Sequence, residues 1–148
     1  MSIVIVDDSP TALVVLKSFA AERGQRDVIT FTDPIKALAH LQAGSADAVV
    51  LDCTMPGLDG ITLTQRLRES EMHRNTPIII VTGSEDAETR ARASVAGANA
   101  FLGKPVRMAE FKATLSRVLK DGGWPYIDRR QETVLPPDGI DRRAAAKA

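Results

Sequence analysis

Five polar residues follow apolar runs that lie far apart in the chain. Asp7 and Asp8 follow residues 3–6, Asp52 follows 48–51, Thr82 follows 78–81, and Lys104 comes just after 100–102. Three carboxylates brought together repel one another and call for a cation. Hard oxygen ligands that leave water on the metal suit Mg²⁺. Such an ion neutralises the acids and leaves positions open for a phosphoryl oxygen. A hydroxyl such as Thr82 can donate to a second oxygen, and an ammonium such as Lys104 can hold a third. The set therefore fits phosphoryl transfer to a carboxylate, where catalysis is mostly positioning and charge neutralisation. Asp52 is the candidate acceptor.

The elements that must position these residues are visible in the periodicity. The apolar runs at 3–6, 28–31, 48–51, 78–81 and 100–102 are continuous rather than alternating, as strands buried on both faces of a parallel sheet are. Helical patterns lie between them. Ser9-Pro10 places a cap before a proline, and Leu13, Leu16, Phe19 and Ala20 form a stripe that Gly24 closes. Asp33-Pro34 repeats the device ahead of Ala37, Leu38 and Leu41. Gly60 precedes Leu63 and Leu67, and Ser84 begins a segment carrying Ala91, Val95 and Ala96 that Gly97 ends. A last helix is expected over 107–119, with Phe111, Leu115 and Val118 inward. Repeated β-α units of this kind predict an α/β sandwich with helices on both faces and right-handed crossovers. Periodicity alone leaves the strand order open. In such a sheet, ligands sit beyond the carboxyl ends of the strands, where the five polar residues fall.

Taken together, the pieces resemble a known family. They are Asp7-Asp8, then Asp52-Cys53-Thr54-Met55-Pro56-Gly57-Leu58-Asp59-Gly60, then Val81-Thr82-Gly83, then Phe101-Leu102-Gly103-Lys104-Pro105. In order and spacing, residues 1–120 resemble the receiver domain of two-component response regulators, and are similar to the single-domain chemotaxis-type members. The resemblance implies a flavodoxin-like, doubly wound (βα)5 three-layer sandwich with strand order 2-1-3-4-5. It implies Asp52 as phosphoacceptor, and Mg²⁺ (with Mn²⁺ as an alternative ion) held by Asp8, Asp52 and the backbone carbonyl of Thr54. Asp7 would act on the metal mainly through water. Thr82 would be the switch hydroxyl, Lys104 the phosphoryl-binding lysine, and Phe101 the aromatic that turns inward on activation. Many relatives carry tyrosine there, so a hydroxyl contact is missing. The Lys104-Pro105 bond is expected to be cis. A histidine kinase or histidine phosphotransfer protein would supply the phosphoryl group. The output would pass to a protein target or a linked output domain through residues 86–120, where Arg90, Arg92, Lys112 and Arg117 offer polar contacts. A homodimer is a further partner state.

Each residue alone has a plainer account. Asp7-Asp8 suits a helix cap, Asp52 a surface turn, Thr82 a helix cap in addition to any chemistry, Lys104 a solvated surface position and Phe101 the core. Pro56 and the neighbouring glycines read as loop-shaping. Cys53 reads as a small half-buried residue rather than a redox sensor. His40 and His73 lack partners at metal-ligand spacing and read as solvated. Two other functions compete. A phosphatase with an aspartyl nucleophile typically needs a second acid two residues later, and Thr54 stands there. The expectation is thus a switch with self-phosphorylation and self-dephosphorylation only. A phosphate-independent binding module would not need the intact acidic set. No Gly-x-Gly-x-x-Gly follows the first apolar run, which disfavours dinucleotide binding.

Composition sets the wider bounds. Lys+Arg and Asp+Glu number 19 each, so no global charge favours nucleic acid or an anionic membrane. A single cysteine excludes an intramolecular disulfide. The first apolar run is too short for a signal segment, and no run is long enough to span a bilayer. The expected location is cytoplasmic, with no direct nucleic-acid or membrane partner. Residues 121–148 change character, with Gly122-Gly123, Pro136-Pro137 and an alanine-rich end. They read as a mobile polar tail or linker. Trp124 and Tyr126 within it are stray aromatics or a docking segment. No output domain is visible. The chain reads as a single-domain regulator, with a fragment of a larger one as the alternative.

Overall fold

The computed structural model describes residues 2–21, 27–83 and 86–120. The expectations for Gly24, Ser84 and the 121–148 tail, with Trp124 and Tyr126, fall outside the described residues.

The apolar runs form the strands β1 (Ser2–Val6), β2 (Asp27–Phe31), β3 (Ala48–Asp52), β4 (Ile78–Thr82) and β5 (Ala100–Gly103). Between and after them lie the helices α1 (Pro10–Ala20), α2 (Pro34–Ala43), α3 (Gly60–Glu69), α4 (Ala87–Ala96) and α5 (Met108–Lys120). All strand pairs are parallel, in the order β2-β1-β3-β4-β5. This is the flavodoxin-like arrangement, and its order reverses at β1 and β3.

Alternation along each strand divides the core in two. Ile3, Ile5, Val50, Ile79, Val81 and Leu102 face α1 and α5, where they meet Leu13, Leu16, Phe111, Leu115 and Val118. Val4, Val6, Val49, Leu51, Ile78 and Ile80 face the other layer, against Ala37 and Leu41, Leu63 and Leu67, and Ala93 and Ala96. Fully burying one such Leu or Ile stabilises by about 1.5–3 kcal/mol, so strands covered on both faces anchor the domain.

The expected caps stand at α1 and α2, Asp59 supplies one at α3 that was not anticipated, and α4 departs from expectation. Ser9 accepts from the Ala12 amide, Asp33 from Ile35 and Asp59 from Thr62. Thr82, expected to do part of the capping of α4, is the last residue of β4, and Asp86 caps α4 by accepting from Thr89. The Asp86 carboxylate starts four residues nearer the helix, and it is the better-placed acceptor. Ala91 and Val95 of α4 are exposed, and Ala93 with Ala96 forms the buried face instead.

His73 also departs from expectation. It is fully buried, not solvated. Its Nδ1 pairs with the Thr76 hydroxyl at 3.0 Å, and its Nε2 lies 2.6 Å from the Leu41 carbonyl and 3.1 Å from that of Gly44. The ring thus satisfies carbonyls at the end of α2 that would otherwise lack donors. His40 is exposed, with its ring 5.3 Å from that of Phe31. Arg68 performs the matching task for α4. Its guanidinium donates to the carbonyls of Gly97, His73 and Thr76 and to Asn99 Oδ1. These contacts lie at the amino ends of the strands, opposite the acidic edge.

Candidate functional site

Parallel strands deliver their last residues to one edge. Asp7 follows β1, Asp52 ends β3, Thr82 ends β4, and Lys104 follows β5. Backbone bonds hold this edge in register. The Asp7 amide donates to the Phe31 carbonyl at 3.1 Å, Cys53 to Val81 at 2.9 Å, and Lys104 to Thr82 at 2.7 Å. Asp7 Oδ1 accepts from the Ser9 amide at 2.9 Å, which fixes the carboxylate at the start of α1.

The three acids meet as anticipated. Asp7, Asp8 and Asp52 each offer an oxygen within 4.8 Å of the others'. Asp7 and Asp52 are buried, while Asp8 is exposed. Lys104 Nζ stands 3.0 Å from Asp7 Oδ2 and 3.3 Å from Asp52 Oδ1. Strand alternation accounts for this meeting, because Asp7, Asp52 and Lys104 continue the rows that face α1 and α5. The Lys104-Pro105 peptide is cis, as expected.

Electrostatics mark Asp52 out. Burial, then the neighbouring Asp7 charge, push its carboxyl from 3.8 up to about 6, against the pull of Lys104. Burial alone would lower the Lys104 ammonium, but its hydrogen bond to Asp7 and the charges of Asp52 and Asp7 raise it instead. The acids are thus an anionic pocket only part-neutralised by one lysine. Hard oxygens at this spacing fit a small divalent cation.

The remaining predicted residues divide. Thr82 is buried at the edge beside the acids. Thr54 is exposed in the loop after β3. Phe101 is half-buried on the α4 side of the sheet, and the Arg90 guanidinium lies 4.7 Å from its ring centroid. Cys53, expected to be half-buried, is 8% exposed and belongs to the core under α3 and α4. Gly60 has a more specific part than loop-shaping. Its amide donates to the Cys53 carbonyl at 2.9 Å, and a Cβ there would collide with the Asp52 carbonyl oxygen. The chain passes so close to the end of β3 that only glycine fits.

A cleft of about 550 Å³ opens beside this edge, between α1 and the loop after β5. Ala12, Val15, Lys104, Pro105 and Val106 are among the residues that line it.

The family profile of the response regulator receiver domain matches residues 3–116. The chain belongs to that family. Members are signalling proteins of two-component systems. Over 120 residues the chain is 32% identical to the chemotaxis protein CheY-3 of Vibrio cholerae, covering 81% of this chain and 92% of that one. It is 39% identical over 121 residues to the cyclic di-GMP phosphodiesterase response regulator RpfG of Xanthomonas campestris. That alignment covers 81% of this chain but spans only 32% of the relative. Among solved structures, the receiver domain of the sensor histidine kinase PA1611 of Pseudomonas aeruginosa superimposes with a TM-score of 0.69 at 32% identity, over 81% of this chain and 94% of that one. That receiver domain holds a magnesium ion in its active-site cleft. CheY4 of Vibrio cholerae superimposes with a TM-score of 0.74 at 26% identity, over 79% of this chain and 97% of that one. Among the described residues of this receiver, no helix is long and apolar enough to cross a membrane.

Proposed function

We propose that this receiver is a phosphorylation-dependent switch in which Asp52 accepts a phosphoryl group. The observation that supports this most is the meeting of Asp7, Asp8 and Asp52 with the Lys104 ammonium spanning Asp7 and Asp52. Asp8, Asp52 and the Thr54 carbonyl would hold Mg²⁺ directly, and Asp7 would hold it through water. The bound ion supplies the charge that lets a phosphoryl oxygen approach three carboxylates.

The chain's own residues do the rest. An Asp52 oxygen attacks phosphorus as the bond from phosphorus to the donor breaks. Lys104 leaves its carboxylate partners for a phosphoryl oxygen, and Thr82 donates its hydroxyl to another. The donor is a histidine kinase or a histidine phosphotransfer protein. The output surface is formed by α4, β5 and α5, where Phe101 and Arg90 already touch. Residues 1–120 are the switch. The activity in the name of RpfG belongs to that protein, of which this chain matches only a part.

Beryllofluoride with Mg²⁺ tests this reading. Isothermal titration of the full chain should show Mg²⁺-dependent binding at one site, abolished by Asp52→Ala. Equal binding by the variant, or none by the unsubstituted chain, would overturn it.

A further inference from the structure

We infer that Arg90 is a positioning residue whose guanidinium holds the Phe101 ring in its resting place. The contact is released when the ring turns toward Thr82 in the loaded protein. The inference rests on the phosphoryl-acceptor reading and adds a residue to it.

The contact joins a helix to an edge strand. Arg90 lies in the first turn of α4, three residues before the buried Ala93, and so falls on the side of the helix that meets the sheet. Its guanidinium carbon is 4.7 Å from the centroid of the Phe101 ring, within the range of a cation–π contact. Both residues are half-buried, so the cation keeps its water while it touches the ring.

Register shows where the ring can go. Phe101 pairs with Ile80, and Gly103 pairs with Thr82. Phe101, Ile80 and Thr82 therefore share the face under α4. The β5 position beside Thr82 is a glycine and places no side chain there. Phe101 is thus the side chain of β5 that can lean along the strand to Thr82. That end of β4 is buried, with Thr82 at 2% exposure. A guanidinium that followed the ring there would have to leave water, which is costly for a charge. The contact with Arg90 therefore favours the resting orientation over the inward one. A ligand that requires the inward ring binds more weakly in proportion.

The test is a double-mutant cycle on Mg²⁺-dependent beryllofluoride affinity, measured by titration of the full chain. Arg90→Gln should raise affinity about two- to fivefold, the worth of one part-exposed cation–π contact. Arg90→Lys keeps a cation and should stay closer to the unsubstituted chain. Neither should change affinity in a Phe101→Leu background. Other interactions of Arg90 act in both backgrounds and cancel in the cycle. NMR with ring-labelled phenylalanine gives a second readout. The Phe101 signal, recognised by its absence from Phe101→Leu, should move in Arg90→Gln toward its position in the beryllofluoride complex. Unchanged or weaker affinity in Arg90→Gln, an equal effect with Phe101→Leu, or a signal that does not move that way would overturn the inference alone. No binding by the unsubstituted chain would overturn the phosphoryl-acceptor reading and the inference with it.

Discussion

Lys104 Nζ lies 3.3 Å from Asp52 Oδ1, joining the loop after β5 to the end of β3 across the intervening strand β4. The same ammonium reaches Asp7 at 3.0 Å. One cation therefore stands against two buried acids, and the balance of charge at this edge governs both stability and binding.

The first prediction concerns that balance. Lys104→Met leaves Asp7 and Asp52 without their cation. Removing one partner of a buried ion pair typically costs about 3–5 kcal/mol, and the part-exposed lysine places this case near or below the lower end. Urea unfolding in chelator should show the loss, and added Mg²⁺ should restore most of it. Mg²⁺ should bind the variant more tightly, because no ammonium competes for the carboxylates. Phosphoryl uptake should nonetheless slow by about tenfold or more, since a group aimed at developing charge is gone. Stopped-flow or quench measurements with a small phosphodonor check the rate.

A second prediction follows from the raised Asp52 carboxyl. Its value is about 6 in the folded state against 3.8 for the free group. Between these values the folded chain holds the proton more firmly than the unfolded chain does. Stability from this group is therefore full below about 3.8 and lost as pH rises through about 6. Without metal, Asp52→Asn should stabilise the protein at neutral pH by about 2 kcal/mol, and much less near pH ~4. Mg²⁺ affinity should fall as pH drops through about 6, because the ion competes with the proton. Denaturation midpoints and metal titrations at several pH values test both statements.

Gly60 yields a third. Gly60→Ala would drive a Cβ into the Asp52 carbonyl oxygen. Backbone cannot give way as a flexible side chain can, so a loss on the order of 2–4 kcal/mol is expected. Because the shift falls on the acceptor's own carbonyl, beryllofluoride affinity should drop even where the variant remains folded. A variant with wild-type stability and affinity would contradict the close approach.

The opposite end of the sheet gives a control. Arg68→Ala strips donors from the carbonyls of Gly97, His73 and Thr76 and from Asn99 Oδ1. Unsatisfied buried acceptors cost about 1–3 kcal/mol each, though water can reach some of them here. A total loss of about 3 kcal/mol is expected by urea unfolding. Mg²⁺ affinity of the folded variant should stay unchanged, since this cluster lies away from the acidic edge.

The acidic edge was legible because continuous apolar runs mark parallel strands, and polar residues after such runs share one edge. Asp7, Asp8, Asp52, Thr82 and Lys104 all follow from that rule. Arg68 and His73 did not. Their partners are backbone carbonyls of remote segments, which leave no pattern in residue types. Val95 was misleading for a related reason. An apolar residue at helical spacing suggests a core contact, yet α4 buries only small alanines and leaves Val95 at 61% exposure. Phe101 was placed on its strand, but the Arg90 contact needs the angle between α4 and β5. Gly60 was read as a loop residue, and its approach to Asp52 depends on how α3 enters beneath β3.

Intact-mass measurement after incubation with Mg²⁺ and a small acyl-phosphate donor, followed by borohydride reduction and peptide mapping, tests the acceptor most directly. The expected result is one phosphoryl adduct, mapped to Asp52, dependent on Mg²⁺ and absent from Asp52→Asn. No adduct on the unsubstituted chain, or an adduct mapped elsewhere that persists in the variant, would contradict the central claim.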